Sequence, residues 1–221
     1  YGSPLVADGR VYQHARQGED EVVWCLDLKT GAVKWRKSYA TPFKIGGGAE
    51  RHGKGPKSSP TIADGRVFVM SITGTLSAWD ADSGKLLWRK NFNSRFQKSH
   101  PFWGSSNSLI VDGDRVIAHF GNDKEGVLAA LDVATGKVVW TQGKDGTCYS
   151  SPLLVEHQGV RQVIERSMEL EAIAGASADT TPEIEEFNKI RDKDGLKAAL
   201  SWNADRFVDE DAWFKKARDR S

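Results

Sequence analysis

Several residues of this 221-residue chain have side chains that could bind phosphate or a metal ion. Gly48–Lys54 matches the pattern Gly-x4-Gly-Lys. In a phosphate-binding loop of this pattern, backbone amides and the lysine hold a nucleotide phosphate, and a Ser or Thr directly after the lysine binds Mg²⁺. Here residue 55 is Gly, so the loop lacks that Mg²⁺ ligand. The five histidines and two cysteines lack the spacings of metal sites. We interpret His14 and His119 as packed or solvated strand residues, and the loop as a basic connection able to contact an anionic partner. Its basic residues are Lys44, Arg51, His52, Lys54 and Lys57.

Acidic and hydroxyl-bearing segments are better explained as turns and repeat starts than as sites. Asp112–Asp114 and Asn122–Gly126 do not place oxygen ligands at every second position, as calcium loops do, and their residues are common in turns. Ser105-Ser106 and Ser150-Ser151 lack the Gly-x-Ser-x-Gly context of a nucleophile and resemble Ser58-Ser59 at the start of a repeat. The sequence therefore predicts no catalytic, cofactor-binding or metal-binding residue.

A repeat of just over fifty residues organises most of the chain. Thr30–Trp35 returns as Ser83–Trp88 and as Thr135–Trp140, with the tryptophans 53 and 52 positions apart. Signals that recur in the same order at a fixed interval indicate an internal repeat. An aspartate precedes each copy at the same interval: Asp27, Asp80 and Asp132.

The second copy shows the repeating unit most clearly. Its short apolar runs are separated by Asp64-Gly65, Thr73-Gly74 and Asp82–Gly84, and Asp-Gly between apolar runs favours a tight hairpin because glycine tolerates positive φ. Such frequent glycines disfavour a helix. The pattern predicts four antiparallel strands per unit, which is the blade of a β-propeller, and blades need neighbours to cover their faces.

We predict a mainly β fold: an open, partial β-propeller of about three and a half four-stranded blades, followed by an α-helical C-terminal tail. The repeated tryptophan on each outer strand is expected to pack between successive blades. The propeller domain covers 1–165, with blades at about 3–39, 58–92 and 105–143 and a half blade at 149–165.

Charge and hydropathy exclude several classes of function. The chain has 31 Lys and Arg and 30 Asp and Glu, and a net charge of +1 provides no overall field for holding nucleic acid or an anionic membrane. No apolar run approaches the ~18 residues of a transmembrane helix. Two cysteines exclude a disulfide-rich scaffold.

The Asp-x-x-Thr-Gly-Lys-x-x-Trp pattern of Asp132–Trp140 resembles the repeat of the PQQ-like (quinoprotein-type) β-propeller family. Asp27–Trp35 and Asp80–Trp88 match it loosely, and Tyr149–Ile164 is similar to a blade opening of that family. The resemblance covers about residues 1–165 and implies a propeller of about eight blades, or part of one.

The family has an enzymatic and a non-catalytic branch. The first contains quinone-dependent alcohol and sugar dehydrogenases, and the second contains scaffolds such as a lipoprotein that assists outer-membrane β-barrel assembly. Alcohol-oxidising members carry a vicinal cysteine pair and a calcium beside a catalytic Asp, whereas Cys25 and Cys148 lie far apart here and no Asp matches the catalytic one. The resemblance therefore implies a non-catalytic scaffold rather than an enzyme.

We accordingly expect no cofactor and a protein partner that binds to loops or by strand-edge addition. The family implies a periplasmic or secreted protein of bacterial type, whose signal peptide would lie upstream of the first residue, and two copies could complete a ring. One alternative is a fragment of a PQQ-dependent dehydrogenase, with PQQ and calcium as cofactors. A second is a truncated or composite product without independent function.

Residues 166–221 have a different pattern from the repeats and are expected to be helical. Thr180–Glu183 is a helix start signal, and Ile184, Phe187 and Ile190 form an apolar stripe. The tail either covers the open edge of the unfinished fourth blade or is foreign sequence, because Gly195–Phe207 faintly resembles the C-terminal helix of crotonase-type enzymes.

Overall fold

The strands of this protein form separate antiparallel sheets in chain order. The computed structural model describes residues 2–47, 50–157 and 160–165, together with position 193. Within those residues there are three four-stranded sheets and one two-stranded sheet, and in each the neighbouring strands are consecutive in the chain. The strands are β1 (Leu5–Ala7), β2 (Arg10–Gln17), β3 (Asp20–Asp27), β4 (Val33–Ala40), β5 (Thr61–Ala63), β6 (Arg66–Met70), β7 (Leu76–Asp80), β8 (Leu86–Lys90), β9 (Ile110–Asp112), β10 (Arg115–Gly121), β11 (Gly126–Asp132), β12 (Val138–Gln142), β13 (Leu153–His157) and β14 (Val160–Ile164).

Two-residue turns join the first and second strands of the first two sheets. Ala63 pairs with Arg66, so that Asp64 and Gly65 alone form the turn between β5 and β6. Both have positive φ, of 50° and 66°, as a type I′ turn requires. The predicted hairpin at Asp64-Gly65 is therefore confirmed, and Asp8-Gly9 repeats it between β1 and β2.

Each face of the middle sheet packs against a different neighbour. On β6, Val67 joins a core cluster with Tyr12 of β2, whereas the next residue, Phe68, joins a cluster with Phe120 of β10. Successive side chains of a strand point to opposite faces, so one strand contributes to both cores. The sheets β1–β4, β5–β8 and β9–β12 are thus successive blades, and the predicted mainly β, open propeller is confirmed.

The outermost strand of each blade contains a β-bulge at the same place. On β4, Lys34 lies between Trp35 and Val33, which pair with consecutive residues of β3, and is therefore an extra residue. Leu87 of β8 and Val139 of β12 are extra residues of the same kind. A bulge disrupts the ladder and twists an exposed edge, which hinders the addition of another strand.

The fourth unit begins as the two-stranded sheet β13–β14. The predicted helical tail, residues 166–221, lies outside the described residues apart from position 193. In the part of the chain that the structure describes, no helix has the length and apolar character needed to cross a membrane.

Candidate functional site

The repeated tryptophans join each blade to the next. Trp35 lies on β4 and its indole N–H donates a hydrogen bond to the carbonyl oxygen of Ala81, at 3.0 Å, in the second blade. The indole ring lies against Gly84 of that blade, since a Cβ built there would come within 2.6 Å of the ring. The predicted packing of these tryptophans between blades is confirmed at this interface. The second interface repeats it with Trp88, Val133 and Gly136.

The aspartate of each repeat holds the turn that follows it. Asp27 Oδ1 accepts hydrogen bonds from the backbone N–H and the hydroxyl of Thr30, both at 2.9 Å. These bonds, the backbone one foremost, stabilise the carboxylate and lower the pKa of Asp27 to about 2. Asp80 with Ser83 and Asp132 with Thr135 form the same bonds, and in both the hydroxyl is the main cause of a lowered aspartate pKa.

A second row of contacts joins the blades just before their first strands. The backbone N–H of Ser3 donates to Ser59 Oγ at 3.0 Å, Ser59 N–H donates to Ser108 Oγ at 3.0 Å, and Ser108 N–H donates to Ser151 Oγ at 2.8 Å. Ser108 is thus the counterpart of Ser59. The expectation that Ser105-Ser106 opens the third blade is wrong, because the preceding connection is longer than expected and β9 starts only at Ile110.

All connections between blades lie at one end of the sheets. In each of the three four-stranded antiparallel sheets, the turn between the second and third strands shares this end with the connections that enter and leave the blade. The connections 41–60 and 91–109 are long, whereas at the opposite end the three four-stranded sheets have short turns between their described strands: the Asp-Gly and Asp-Thr-Gly turns and their counterparts. We call the first end the loop-bearing end.

Two large aromatic side chains project from the loop-bearing end. Phe102 and Trp103, here called the aromatic tip, are 55% and 44% exposed. They occupy the centre of a β-turn that is closed by a 2.9 Å hydrogen bond from Gly104 N–H to the carbonyl oxygen of Pro101. Gly104 has a φ of 85° and packs so closely on Ile72 that a side chain there would collide with it.

Three separate segments brace the aromatic tip. Asp123 Oδ2, in the turn between β10 and β11, accepts a hydrogen bond from Phe102 N–H at 2.7 Å. Lys57 Nζ, in the connection before β5, donates to the carbonyl oxygen of Trp103 at 2.7 Å, and burial lowers the pKa of this lysine. Tyr149 places its ring 5.5 Å from that of Trp103 and donates its hydroxyl to Asp123 Oδ1 at 3.2 Å. These contacts fix the backbone of the aromatic tip, and Tyr149 packs on the ring of Trp103.

A cleft of about 770 Å³ lies beside the aromatic tip. It is bounded by residues 44–47 of one connection, residues 97–102 of the next, and the turn 122–125. We call it the lysine cleft. Its charged and titratable lining residues are Lys44, Lys98, Lys124, His100, Asp123 and Glu125.

A buried polar cluster connects the first two blades near the same end. Glu21 is fully buried and its Oε1 accepts a hydrogen bond from the backbone N–H of Ile72 in the second blade, at 2.9 Å. Its Oε2 lies 3.1 Å from His14 Nε2 and accepts the hydroxyl of Tyr39 at 3.0 Å. Burial, reinforced by the neighbouring carboxylate, raises the pKa of Tyr39 well above its usual value. The cluster ties the blades together rather than opening onto a reactive surface.

His119 makes a related pair between the third and fourth units. Its Nδ1 lies 2.9 Å from Glu165 Oε1, and both side chains are almost completely buried. His14 and His119 hold equivalent places on β2 and β10, so the interpretation of each as a lone packed residue missed an acidic partner. Glu21 could have been suspected because the repeat has Gly74 and Gly126 in its position.

The remaining sequence candidates do not assemble into a reactive site. Gly48 and Ala49 lie outside the described residues, and Glu50–His52 forms a single-turn 3-10 helix with no buried residue. Asn122 Oδ1 accepts the backbone N–H of Lys124 at 2.9 Å, as in an ordinary Asx turn. Among the described residues, no three His, Cys, Asp or Glu side chains come together as metal ligands.

The similarity of this chain to known proteins agrees with the repeat found in its sequence. The model of the family described as "Outer membrane protein assembly factor BamB" matches residues 19–177, more than half of the chain. The chain belongs to this family. The expected PQQ-like propeller family is thereby confirmed.

The relatives that match are much longer than the matched region. An outer membrane protein assembly factor BamB of Burkholderia pseudomallei is 31% identical over 119 residues, 54% of this chain and 27% of that protein. A quinohemoprotein alcohol dehydrogenase, ADH-IIG, of Pseudomonas putida is 27% identical over 146 residues, 62% of this chain and 18% of that protein. The crystal structure of BamB from Moraxella catarrhalis is 20% identical, with a TM-score of 0.47 over 71% of this chain and 41% of that one.

Proposed function

We propose that this protein is a non-catalytic propeller scaffold that binds a partner protein at its loop-bearing end. The observation that carries the proposal is the aromatic tip: Phe102 and Trp103 are about half exposed yet braced by Lys57, Asp123 and Tyr149. Exposed apolar side chains in a fixed arrangement are typical of interaction sites, and aromatic residues dominate binding energy there. Because the aromatic tip is already ordered, binding a partner there would cost less conformational entropy.

The outer strand edges are the weaker candidates for partner binding. Each outer strand carries the bulge at Lys34, Leu87 or Val139 that breaks the ladder needed by an added strand. Flanking basic residues on the first two of these strands, such as Lys37 and Lys90, add charge to the edge. We therefore place the partner on the loops rather than on a strand edge.

The names of the relatives support a location and a process. Because the matching family model and the Burkholderia pseudomallei relative are both named as outer membrane protein assembly factor BamB, we propose that this protein acts in the periplasm, in the assembly of outer membrane proteins. Completion of a ring by a second copy stays a prediction, which sedimentation equilibrium would confirm by the mass of a dimer and refute by that of a monomer.

Site-specific photo-crosslinking in the source bacterium tests the scaffold proposal. A photoreactive residue is placed at Trp103, with controls at Thr30 on the opposite end and at Leu87 on an outer strand. The proposal expects a defined protein adduct at position 103 and none at the controls. Adducts only at Leu87, or no adduct at position 103, would refute it.

The similarity to a quinohemoprotein alcohol dehydrogenase over 146 residues favours one second candidate, a quinone-dependent oxidoreductase. Purified protein titrated with PQQ and Ca²⁺ and then assayed for dye-linked alcohol oxidation separates the two. Tight binding with turnover would support the enzyme, and the scaffold proposal expects neither.

A further inference from the structure

The lysine cleft has an excess of positive charge without partners. The side chains of Lys44, Lys98 and Lys124 are exposed, and in the described part of the chain none of the three lies within ion-pair distance of a carboxylate. Of the two acidic residues in the cleft, Asp123 already accepts hydrogen bonds with both oxygens, from Phe102 N–H and from Tyr149. The three lysines still outnumber Asp123 and Glu125, and the two oxygens of Asp123 are already bonded, so the cleft keeps a net positive charge that favours an anionic ligand.

The shape of the cleft suits a peptide rather than a small anion. Its volume of about 770 Å³ is in the range of sites that enclose ligands far larger than one phosphate group. Phe102 forms part of its wall and Trp103 follows directly, so an apolar surface adjoins the positive charges. A ligand that satisfies both carries anionic and apolar groups close together, as an extended peptide with alternating carboxylate and apolar side chains does.

We propose that the lysine cleft binds an extended acidic segment of a partner protein, with an apolar side chain of that segment packed on the aromatic tip. The proposal rests on the proposed scaffold function and names the chemistry of its partner. The lysines steer and hold the carboxylates, whereas the two rings supply the buried apolar contact.

Fluorescence anisotropy with labelled synthetic peptides tests the proposal. The probes are a short peptide of alternating Glu and Leu and two matching peptides with Gln or Lys in place of Glu. The Glu peptide is expected to bind best, with an affinity that falls as salt rises. Equal binding of the Lys peptide, or no binding of the Glu peptide, would overturn the proposal.

Charge-reversal variants locate the binding. Lys98→Glu combined with Lys124→Glu is expected to weaken the Glu peptide by roughly tenfold or more. Lys85→Glu combined with Lys137→Glu is the matched control, since these lysines are exposed in turns at the opposite end. Equal losses in the two double variants, with unchanged thermal unfolding in both, would show that only net charge matters and would overturn the site.

Two further measurements separate the possible ligands. Trp103→Ala is expected to weaken the Glu and Gln peptides by a similar factor, because it removes the apolar contact and leaves the lysines in place. Complete competition by inorganic phosphate at low concentration would reveal a general anion site and overturn the peptide proposal.

The failure of this inference can be told apart from failure of the scaffold. If the photo-adduct at position 103 persists undiminished in the Lys98→Glu, Lys124→Glu variant, the cleft proposal is overturned and the scaffold function stands. If the adduct is lost in that variant but retained in the Lys85→Glu, Lys137→Glu control, both are supported.

Discussion

Replacing Gly84 by Ala should disrupt the docking of one blade on the next. A Cβ at this position would lie 2.6 Å from the indole ring of Trp35, and the ring cannot withdraw easily because its N–H is bonded to Ala81. Gly31 is a natural control: it has the equivalent place in the first blade and nearly the same φ, 70° against 66°, but no atom lies within 4 Å of a Cβ built there.

The two substitutions share one energetic cost and differ in another. An alanine in the left-handed region costs about 1–2 kcal/mol at either position. Forcing a methyl group into a packed contact costs a further ~1–3 kcal/mol. Gly31→Ala should therefore lower the free energy of unfolding by about 1–2 kcal/mol, and Gly84→Ala by about 2–5 kcal/mol when the packing cost is added.

Urea unfolding followed by circular dichroism measures both variants against the parent protein. Gly136→Ala should behave as Gly84→Ala does, since its Cβ would lie 2.6 Å from the ring of Trp88. Equal losses for Gly31→Ala and Gly84→Ala would refute the indole–glycine docking, because only the backbone cost would then be present.

Substitutions at three other positions test the remaining contacts. Glu21→Ala should lower the free energy of unfolding by about 3–5 kcal/mol, because it strands the buried Ile72 N–H, His14 and Tyr39. Glu21→Gln keeps one acceptor oxygen and should lose less; equal losses of the two variants in urea unfolding would contradict the role of the hydrogen bonds. Ser59→Ala should lower the free energy of unfolding by about 1 kcal/mol and speed hydrogen exchange of the Ser3 amide, and an unchanged exchange rate would count against the bond from Ser3 N–H to Ser59 Oγ between the blades. The pKa of Asp27 is lowered from 3.8 to about 2. Its contribution to the free energy of unfolding is therefore present above pH 3.8 and is lost as the pH falls through 2. Asp27→Asn should therefore lose less stability than the parent over that pH range, and an identical acid profile would be the contrary result.

The repeat could be predicted from sequence because its signals are local. Asp64-Gly65 encodes a hairpin by its own backbone preferences, and Asp80 reaches only as far as Ser83. Such signals do not depend on the rest of the fold. The regular spacing of Trp35, Trp88 and Trp140 then indicates that the outer strands carrying them pack against the neighbouring blades.

The contacts that set the candidate site apart could not be predicted in this way. Glu21 acts on Ile72, 51 positions away, and stands where other blades have glycine. The place of Ser108 at the start of the third blade was not predicted, because the length of the preceding connection does not follow the repeat. Only the pairing of β9 with β10 shows where β9 begins. Phe102 and Trp103 lie in that same connection, outside the repeat, and their exposure and bracing depend on Lys57, Asp123 and Tyr149 from other segments.

Hydrogen exchange at the indole N–H groups, followed by NMR, tests the central claim most directly. The indole protons of Trp35 and Trp88 are bonded to carbonyl oxygens of the following blade and should exchange slowly, whereas that of the exposed Trp103 should exchange quickly. Exchange of Trp35 and Trp88 as fast as that of Trp103 would show that the blades do not dock on these tryptophans.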